Sequence, residues 1–241
     1  MAAPRIAPEV RPGQFVHIKI PKFKEALLRR PFSVYQADGD RLSVLYKAIG
    51  RGTHAMSSLG MGDSINVIGP LGKPYPIHQD GGFPVLVAGG YGMAALYLVA
   101  QNQPTKGIAF FGGATATDIL CVPEFEALGW EVCVSTESGE VGTKGIVTNT
   151  LDAWLADEGA GKSLEFFACG PNAMLQAVAH RAIRFNATAW ISMDRNMGCG
   201  VGACLTCVQK VKGQGGADWK WARVCTEGPV FECREIVWDD K

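Results

Sequence analysis

Four cysteines near the carboxyl end of the chain have the spacing of an iron–sulfur centre. Three of them, Cys199, Cys204 and Cys207, lie within the stretch GCGVGACLTC at residues 198–207, and Cys225 follows alone. The spacing C-x4-C-x2-C…C is that of the ligands of plant-type [2Fe–2S] clusters. The glycines between them permit backbone conformations closed to other residues, and they let backbone N–H groups approach the sulfurs. The four thiolates are therefore predicted to hold a [2Fe–2S] cluster.

A structural zinc site and free thiols are the alternatives for the same four residues. Zinc ribbons usually pair two C-x2-C knuckles, whereas here the first pair is C-x4-C and the fourth ligand is single. The sequence has no export signal, which indicates a reducing compartment and favours metal binding over disulfides. The remaining cysteines lie in separate segments and are expected to be small core residues: Cys121, Cys133, Cys169 and Cys233.

The composition narrows the class of protein. The 241 residues suffice for roughly two or three small domains with cores of their own. Lys plus Arg and Asp plus Glu both number 23, and a formal net charge of zero argues against a nucleic-acid-binding or anionic-membrane surface. No run of about 18 apolar residues occurs and the amino terminus MAAPRIAPEVRPG lacks an apolar signal core, so we expect a cytoplasmic protein.

Two patterns of apolar residues follow one another along the chain. Short strand-like runs with turn residues between them fill the first third, which suggests a small antiparallel barrel or sandwich. From about residue 82, buried-type strands alternate with helical stretches, which predicts βαβ units and a parallel sheet. The early runs are QFVHIKI (14–20), PFSVYQ (31–36), LSVLYKAI (42–49) and SINVIG (64–69), with a short helix in THAMSSL capped at Thr53.

Two glycine-containing turns join predicted strands to predicted helices. VLVAGGYGMAAL places Gly89, Gly90 and Gly92 at such a turn, where free helix N–H groups suit a phosphate. Because Ala95 stands at the third position of G-x-G-x-x-G, a plain tight turn is an equal alternative. ACGPNAM (168–174) is a second turn of this kind, and both would lie at the carboxyl edge of the sheet, where ligands bind. Cys169 would then face the ligand or be a buried bystander.

The stretch RPFSVY offers polar groups beside an extended segment. Arg30 could pair with a phosphate through its guanidinium, and Ser33 could donate a hydrogen bond to a polar ring. GRGTHAMSSL supplies glycines and Thr53 at a helix start, which again suits a phosphate. Taken alone, a surface arginine before a strand explains the first stretch equally well.

Together, RPFS, GRGT, GPLG (69–72), AGGYG, ACGPNAM and the cysteine tail resemble the ferredoxin–NADP reductase superfamily. Within it, the chain is most similar to the family of electron-transfer subunits of two-subunit dihydroorotate dehydrogenases. The resemblance covers nearly the whole chain, in the same order. It implies a multidomain α/β plus β protein: an antiparallel FAD-binding β-barrel (1–80), a parallel-sheet NAD-binding α/β domain (81–193) and a small C-terminal [2Fe–2S] domain (194–241).

The resemblance also assigns binding residues by motif, and it assigns no catalytic acid or base. Ser33 is expected near the isoalloxazine ring, Gly52 and Thr53 in the pyrophosphate turn, and Cys169 near the nicotinamide. The implied FAD residues are Arg30, Pro31, Phe32, Ser33, Leu45, Tyr46, Lys47, Gly52 and Thr53. The implied NAD residues are Gly89, Gly90, Gly92, Cys169, Gly170 and Pro171, and the cluster ligands are Cys199, Cys204, Cys207 and Cys225.

The activity implied by the resemblance is electron transfer in pyrimidine biosynthesis. Electrons would pass between NAD(H), FAD and the cluster, to or from an FMN-containing catalytic subunit that oxidises dihydroorotate to orotate, within a heterotetramer. The chain offers no obvious general base for dihydroorotate, so that chemistry is expected on the partner. Glu137, just after a strand, would favour a ribose hydroxyl over a 2′-phosphate, which points to NAD over NADP.

Two departures from the family and two rival functions stay open. Relatives carry a proline at the position of Ala95, and PGQFV (12–16) follows a complete first barrel strand in them, so we expect that strand to be missing here. One rival is a reductase subunit of another NAD(P)H-dependent complex, of ferredoxin–NADP reductase or sulfhydrogenase type. The other is a redox-sensing or zinc-stabilised binding module without enzymatic activity.

Overall fold

The computed structural model describes residues 1–21, 27–213 and 218–238. Its amino-terminal region is built of short strands. A 3₁₀ turn at Ala7–Glu9 comes before the strands, and three of them pair antiparallel in the order β2-β1-β5, while β3 and β4 form a separate hairpin. The elements are β1 (Phe15–Lys19), β2 (Arg30–Ser33), β3 (Gln36–Asp38), β4 (Arg41–Ser43), α1 (Arg51–Ser57) and β5 (Asn66–Leu71).

The segment before β1 packs along the edge of the β3–β4 hairpin. Ala2 forms an isolated antiparallel bridge with Arg41, and the amino group of Met1 donates to the carbonyl of Leu42 at 2.9 Å. Val16 and Ile18 of β1 fill the core of this region. Over the described residues, pairing between strands does not join the two sheets into a closed barrel, so the barrel and its missing first strand stay predictions.

Two details of the amino-terminal region differ from the sequence expectation. The strand predicted over 42–49 is limited to β4, and residues 44–49 are irregular. The predicted cap at Thr53 is wrong: α1 begins after the extended residue Gly50, and Thr53 is its third residue. The Thr53 Oγ1 accepts hydrogen bonds from the N–H groups of Ile49 and Gly50, both at 3.1 Å, so it closes the preceding turn.

The second region is a twisted sheet with helices on its faces, as the alternating pattern predicts. Its strands are buried on both faces, which explains their continuous apolar runs. The sheet order is β14-β11-β10-β6-β7-β8-β9, with every pair parallel except β11–β14. The elements are β6 (Phe83–Gly89), α2 (Gly92–Asn102), β7 (Ile108–Gly113), α3 (Val122–Ala127), β8 (Glu131–Thr136), β9 (Thr143–Lys144), α4 (Val147–Ala156), β10 (Leu164–Cys169), α5 (Asn172–Arg184) and β11 (Thr188–Ser192).

The carboxyl-terminal region shares the core of this sheet. It forms a hairpin of β12 (Val208–Lys212) and β13 (Trp219–Arg223), followed by β14 (Val230–Glu232), which pairs antiparallel with β11. Phe231 on β14 lies in one hydrophobic cluster with Val85 of β6. Hydrogen bonding and packing therefore continue across residue 193, where the sequence predicts a domain boundary.

Within the described ranges, no helix combines the length and the apolar character needed to cross a bilayer.

Candidate functional site

The RPFS strand and the GRGT turn line one cavity of about 740 Å³. Three apolar side chains at its wall are unusually exposed, with Leu27 at 91% and Ile49 at 78% of their full accessibility, and Leu28 exposed as well. Exposed apolar groups around a concavity mark a surface that a ligand or partner covers. The sequence reasoning missed all three, because an isolated leucine or isoleucine carries no motif. The remaining lining residues are Arg30, Pro31, Phe32, Gly50, Arg51, Gly52 and Thr53.

The other residues predicted to bind FAD lie around this cavity rather than in its lining. Tyr46 packs edge-on against Phe32, with ring centroids 5.8 Å apart, so it backs a lining residue. Lys47 reaches the next region, where its Nζ lies 3.3 Å from Asp118 Oδ1. Ser33 pairs with Phe15 across the β1–β2 ladder, and Leu45 follows β4 without lining the cavity.

The two nucleotide-type turns meet at the carboxyl edge of adjacent strands. Gly89 ends β6, Gly170 and Pro171 follow β10, and the two strands pair with Cys169 opposite Ala88. The contact needs a glycine at Gly92, because a Cβ there would overlap the carbonyl oxygen of Cys169. The sequence prediction that both turns share one edge is confirmed.

Backbone bonding and burial define this edge further. The N–H of Gly90 donates to the carbonyl of Gly112 at 2.9 Å, which ties the turn to β7. Ala95 is buried within α2, where it packs in the protein core. Burial raises the pKa of the Cys169 thiol to about 12, so this thiol is protonated at neutral pH. Cys169 is therefore a neutral neighbour of the edge and not a thiolate nucleophile.

The cluster loop directs hydrogen-bond donors at its first two sulfurs. Cys199 Sγ accepts from the N–H groups of Ala203 at 3.2 Å and Cys204 at 3.4 Å, and the Thr206 hydroxyl donates to Cys204 Sγ at 3.2 Å. The Thr206 hydrogen bonds lower the pKa of the exposed Cys204 thiol to about 6. Donors aimed at sulfur are what a thiolate-held cluster requires, and they tune its potential.

The four thiols form two pairs. Cys199 hydrogen-bonds with Cys204, and Cys207 with Cys225. Burial is the main reason that the pKa of Cys225 rises to about 11, and the neighbouring Cys207 adds to it. Within the described residues, no three His, Cys, Asp or Glu side chains gather as ligands of one metal ion. Two pairs suit a centre of two irons, whereas a structural zinc needs four ligands around one point.

A histidine that carries no motif joins the cluster loop to the amino-terminal strands. His17 on β1 is fully buried, and its Nδ1 lies 3.2 Å from the carbonyl oxygen of Cys199. Burial lowers the pKa of this imidazole. The available sequence signal was a histidine inside the apolar run QFVHIKI, which by itself indicates only a buried polar residue.

The family model for the iron-sulfur cluster binding domain of dihydroorotate dehydrogenase B matches residues 194–237. The chain is 37% identical over 244 residues to a dihydroorotate dehydrogenase B (NAD(+)) electron transfer subunit from Bacillus caldolyticus, covering 97% of this chain and 90% of the relative. The subunit of the same name from Desulforamulus reducens is 33% identical over 242 residues, covering 98% and 90%.

Two solved structures share the fold. The structure of the NADH-dependent reduced ferredoxin-NADP oxidoreductase superposes with a TM-score of 0.84 at 30% identity, covering 98% of this chain and 83% of that one. The ferredoxin reductase of carbazole 1,9a-dioxygenase superposes with a TM-score of 0.58 at 17% identity, covering 74% and 57%. The second similarity shows the fold alone. With the relatives above, these findings establish that the chain belongs to the family of dihydroorotate dehydrogenase B (NAD(+)) electron transfer subunits.

Proposed function

We propose that this chain transfers electrons between NAD(H), FAD and a [2Fe–2S] cluster, to or from an FMN-containing catalytic subunit of dihydroorotate dehydrogenase in pyrimidine biosynthesis. The observation that carries this proposal is the paired arrangement of four thiols on a chain that also has a nucleotide-type sheet edge. A cluster without a nucleotide site, or the reverse, would suit other redox proteins. The combination suits a subunit that connects a two-electron carrier to a one-electron carrier.

The FAD site is proposed at the cavity lined by the RPFS strand and the GRGT turn. When bound, the flavin supplies hydride exchange with nicotinamide and single-electron exchange with the cluster. Arg30 and the backbone of Gly52 would hold phosphate oxygens, while Pro31 and Phe32 would face the apolar part of the cofactor. The barrel form of this domain and the boundaries 1–80, 81–193 and 194–241 belong to the same proposal.

The NAD site is proposed at the edge formed by the two turns. Gly89, Gly90 and Gly92 would let the pyrophosphate approach the start of α2, and residues 169–171 would lie beside the nicotinamide. Glu137 directly follows β8 at the same edge of the sheet, which suits a carboxylate that accepts from a ribose hydroxyl. The dinucleotide is therefore proposed to be NAD.

The pyrimidine chemistry is proposed to lie on a catalytic partner subunit, in a heterotetramer. The described residues that line the flavin cavity include no carboxylate, imidazole or amine that could act as a base toward a dihydropyrimidine. The name of the relatives, electron transfer subunit, fits this division of labour. The work of this chain would be to bind, orient and separate its cofactors.

Anaerobic absorption spectroscopy tests the proposal directly. Purified chain should contain flavin, iron and labile sulfide, and NADH should bleach the flavin bands and then the cluster bands. Copurification with an FMN-containing subunit should follow when both are expressed together. Absence of flavin and iron would contradict the proposal, and tightly held zinc without flavin reduction would support a binding module instead.

A reductase of ferredoxin–NADP type is the second candidate, favoured by the similarity to the NADH-dependent reduced ferredoxin-NADP oxidoreductase structure. The higher identity to the dihydroorotate dehydrogenase B subunits places this candidate second. Mixing the purified chain with a ferredoxin and with the FMN-containing subunit separates the two. Rapid oxidation by ferredoxin alone would favour the reductase.

A further inference from the structure

His17 bonds to the backbone of a cluster ligand from a strand far away in the sequence. Its Nδ1 lies 3.2 Å from the carbonyl oxygen of Cys199, and the side chain is fully buried. Because a carbonyl oxygen only accepts, Nδ1 must carry the hydrogen and donate it. The first predicted ligand of the cluster is thereby tied to β1 through a single side chain.

The cluster loop is shaped to receive this ring. Gly200, the residue after Cys199, is buried and has φ +73°, a conformation that side chains rarely adopt. A Cβ on Gly200 would lie 2.5 Å from Nδ1 of His17, so the loop backbone rests directly against the imidazole. A larger residue at either position would separate the loop from β1.

The opposite side of His17 is the strand proposed to hold the flavin. In the β1–β2 ladder His17 lies opposite Pro31, and Ile18 lies opposite Arg30. Pro31 and Arg30 both line the flavin cavity. His17 is therefore one strand away from the cavity and one hydrogen bond away from the cluster loop.

The imidazole is not explained by packing alone. Its Nε2 is buried and has no hydrogen-bond partner among the described residues, which is unfavourable for folding. An apolar side chain of similar size would avoid that penalty. The donor at Nδ1 is what an apolar residue could not supply.

We propose that His17 is a positioning residue that holds the Cys199 end of the cluster loop against the flavin-binding strand. It thereby sets the orientation of that ligand and the separation across which electrons pass between flavin and cluster. The role in electron transfer rests on the proposed function, whereas the hold on the loop does not. Hydride exchange between nicotinamide and flavin does not involve this contact.

Three substitutions of His17 separate the hydrogen bond from the volume of the ring. His17→Leu removes the donor, His17→Asn places an amide N–H near the position of Nδ1, and His17→Gln places it near Nε2. His180→Leu, an exposed position on α5, is the matched control for loss of a histidine. Circular dichroism spectra should confirm that each variant folds.

The first measurement uses the full chain without its cluster. Iodoacetamide alkylation of Cys199 and Cys204, followed by peptide mass spectrometry, should be faster in His17→Leu and His17→Gln than in the unmodified chain. His17→Asn and His180→Leu should keep the original rates. This readout reports the hold on the loop and depends on no cofactor.

The second measurement uses the loaded chain. In His17→Leu the cluster midpoint potential should shift, and cluster reduction after NADH should slow by about tenfold, the lower end of the effect of losing an outer-shell partner. Flavin bleaching by NADH should be unchanged. His17→Asn should restore both the potential and the rate, and Gly200→Ala, which crowds the same contact from the loop, should reproduce the His17→Leu pattern.

The proposal is overturned if folded His17→Leu keeps the original alkylation rates and potential, or if His17→Asn is as altered as His17→Leu. Failure of NADH to bleach flavin in the unmodified chain would contradict the proposed function instead. The alkylation result would still decide the role of His17 in that case.

Discussion

The nucleotide edge and the cluster loop are both rich in glycine, yet they use it for different purposes. At the edge, Gly92 lets the turn after β6 touch the carbonyl of Cys169, so packing of the backbone forms the site before any ligand arrives. In the loop, N–H groups point at the sulfur of Cys199 and the thiol of Cys204 is exposed. The edge is a preformed surface, whereas the loop is organised around a group that it has yet to hold.

The largest expected effect on this contrast comes from removing a buried ligand. Cys225→Ser should abolish the cluster bands, because each of the paired thiols serves as a ligand. Flavin reduction by NADH should persist, since the edge does not depend on the loop. Iron and sulfide analysis together with stopped-flow absorbance measure the two outcomes, and loss of both activities would contradict the separation of the regions. Cys133→Ser, a scattered cysteine on β8, is the control.

The next effect concerns thiol reactivity in the chain without its cluster. Cys204, with a pKa of about 6, should be alkylated at pH 7 far faster than Cys169, with a pKa of about 12, because only the thiolate reacts. Thr206→Val removes the hydroxyl that donates to Cys204 Sγ, so the midpoint of its alkylation profile should move to higher pH. Mass spectrometry of the alkylated peptides across pH 5 to about 10 follows both thiols. Equal reactivity of the two would contradict the contrast.

A smaller effect is expected from crowding the preformed edge. Gly92→Ala places a methyl group against the carbonyl of Cys169 and should lower the free energy of unfolding by about 1–3 kcal/mol. Urea denaturation measures this change, and affinity for NADH should fall with it. Gly60→Ala, where an added Cβ meets nothing within 4 Å, is the matched control and should leave stability nearly unchanged. A Gly92→Ala protein as stable as the control would argue that the two turns do not touch.

The smallest effect concerns an exposed contact between the two cofactor regions. The pKa of Asp118 is lowered, first by the N–H of Thr115 and then by Lys47. A carboxyl with a lowered folded pKa stabilises the chain above its unfolded pKa, and that contribution is lost as pH falls through the folded pKa. Asp118→Asn should therefore change thermal stability slightly at pH 7 and not at all in strong acid. Melting temperatures across acidic pH test this, with an effect below that of Gly92→Ala.

The sequence predicted what depends on short spacings and failed where distant contacts decide. Cysteine spacing and the two glycine turns are local patterns, and the structure brings them together as expected. The cap predicted at Thr53 was wrong because the helix begins after Gly50 and the threonine hydroxyl serves the preceding turn. His17 escaped notice because its partner is 182 residues away, a separation no motif records.

The pairing of β14 with β11 shows the same limit. The carboxyl-terminal segment looked like a separate unit by composition, but three residue pairs add it to the parallel sheet. Strand addition of this kind depends on an available sheet edge, which the segment's own residues do not encode. The predicted boundary at 193 is consistent with the motifs but not with the continuous core.

That added strand has a mechanical consequence. Many redox chains deliver electrons with a carrier tethered by a flexible linker, whose swinging sets the rate of delivery. Here β14 and the cluster of residues around Phe231 anchor the thiol-bearing loop to the same sheet that ends at the nucleotide edge. The distance from donor to acceptor within this chain is therefore determined at folding and not by diffusion of an arm. Diffusive motion, if any step needs it, belongs to the arrival of the nucleotide.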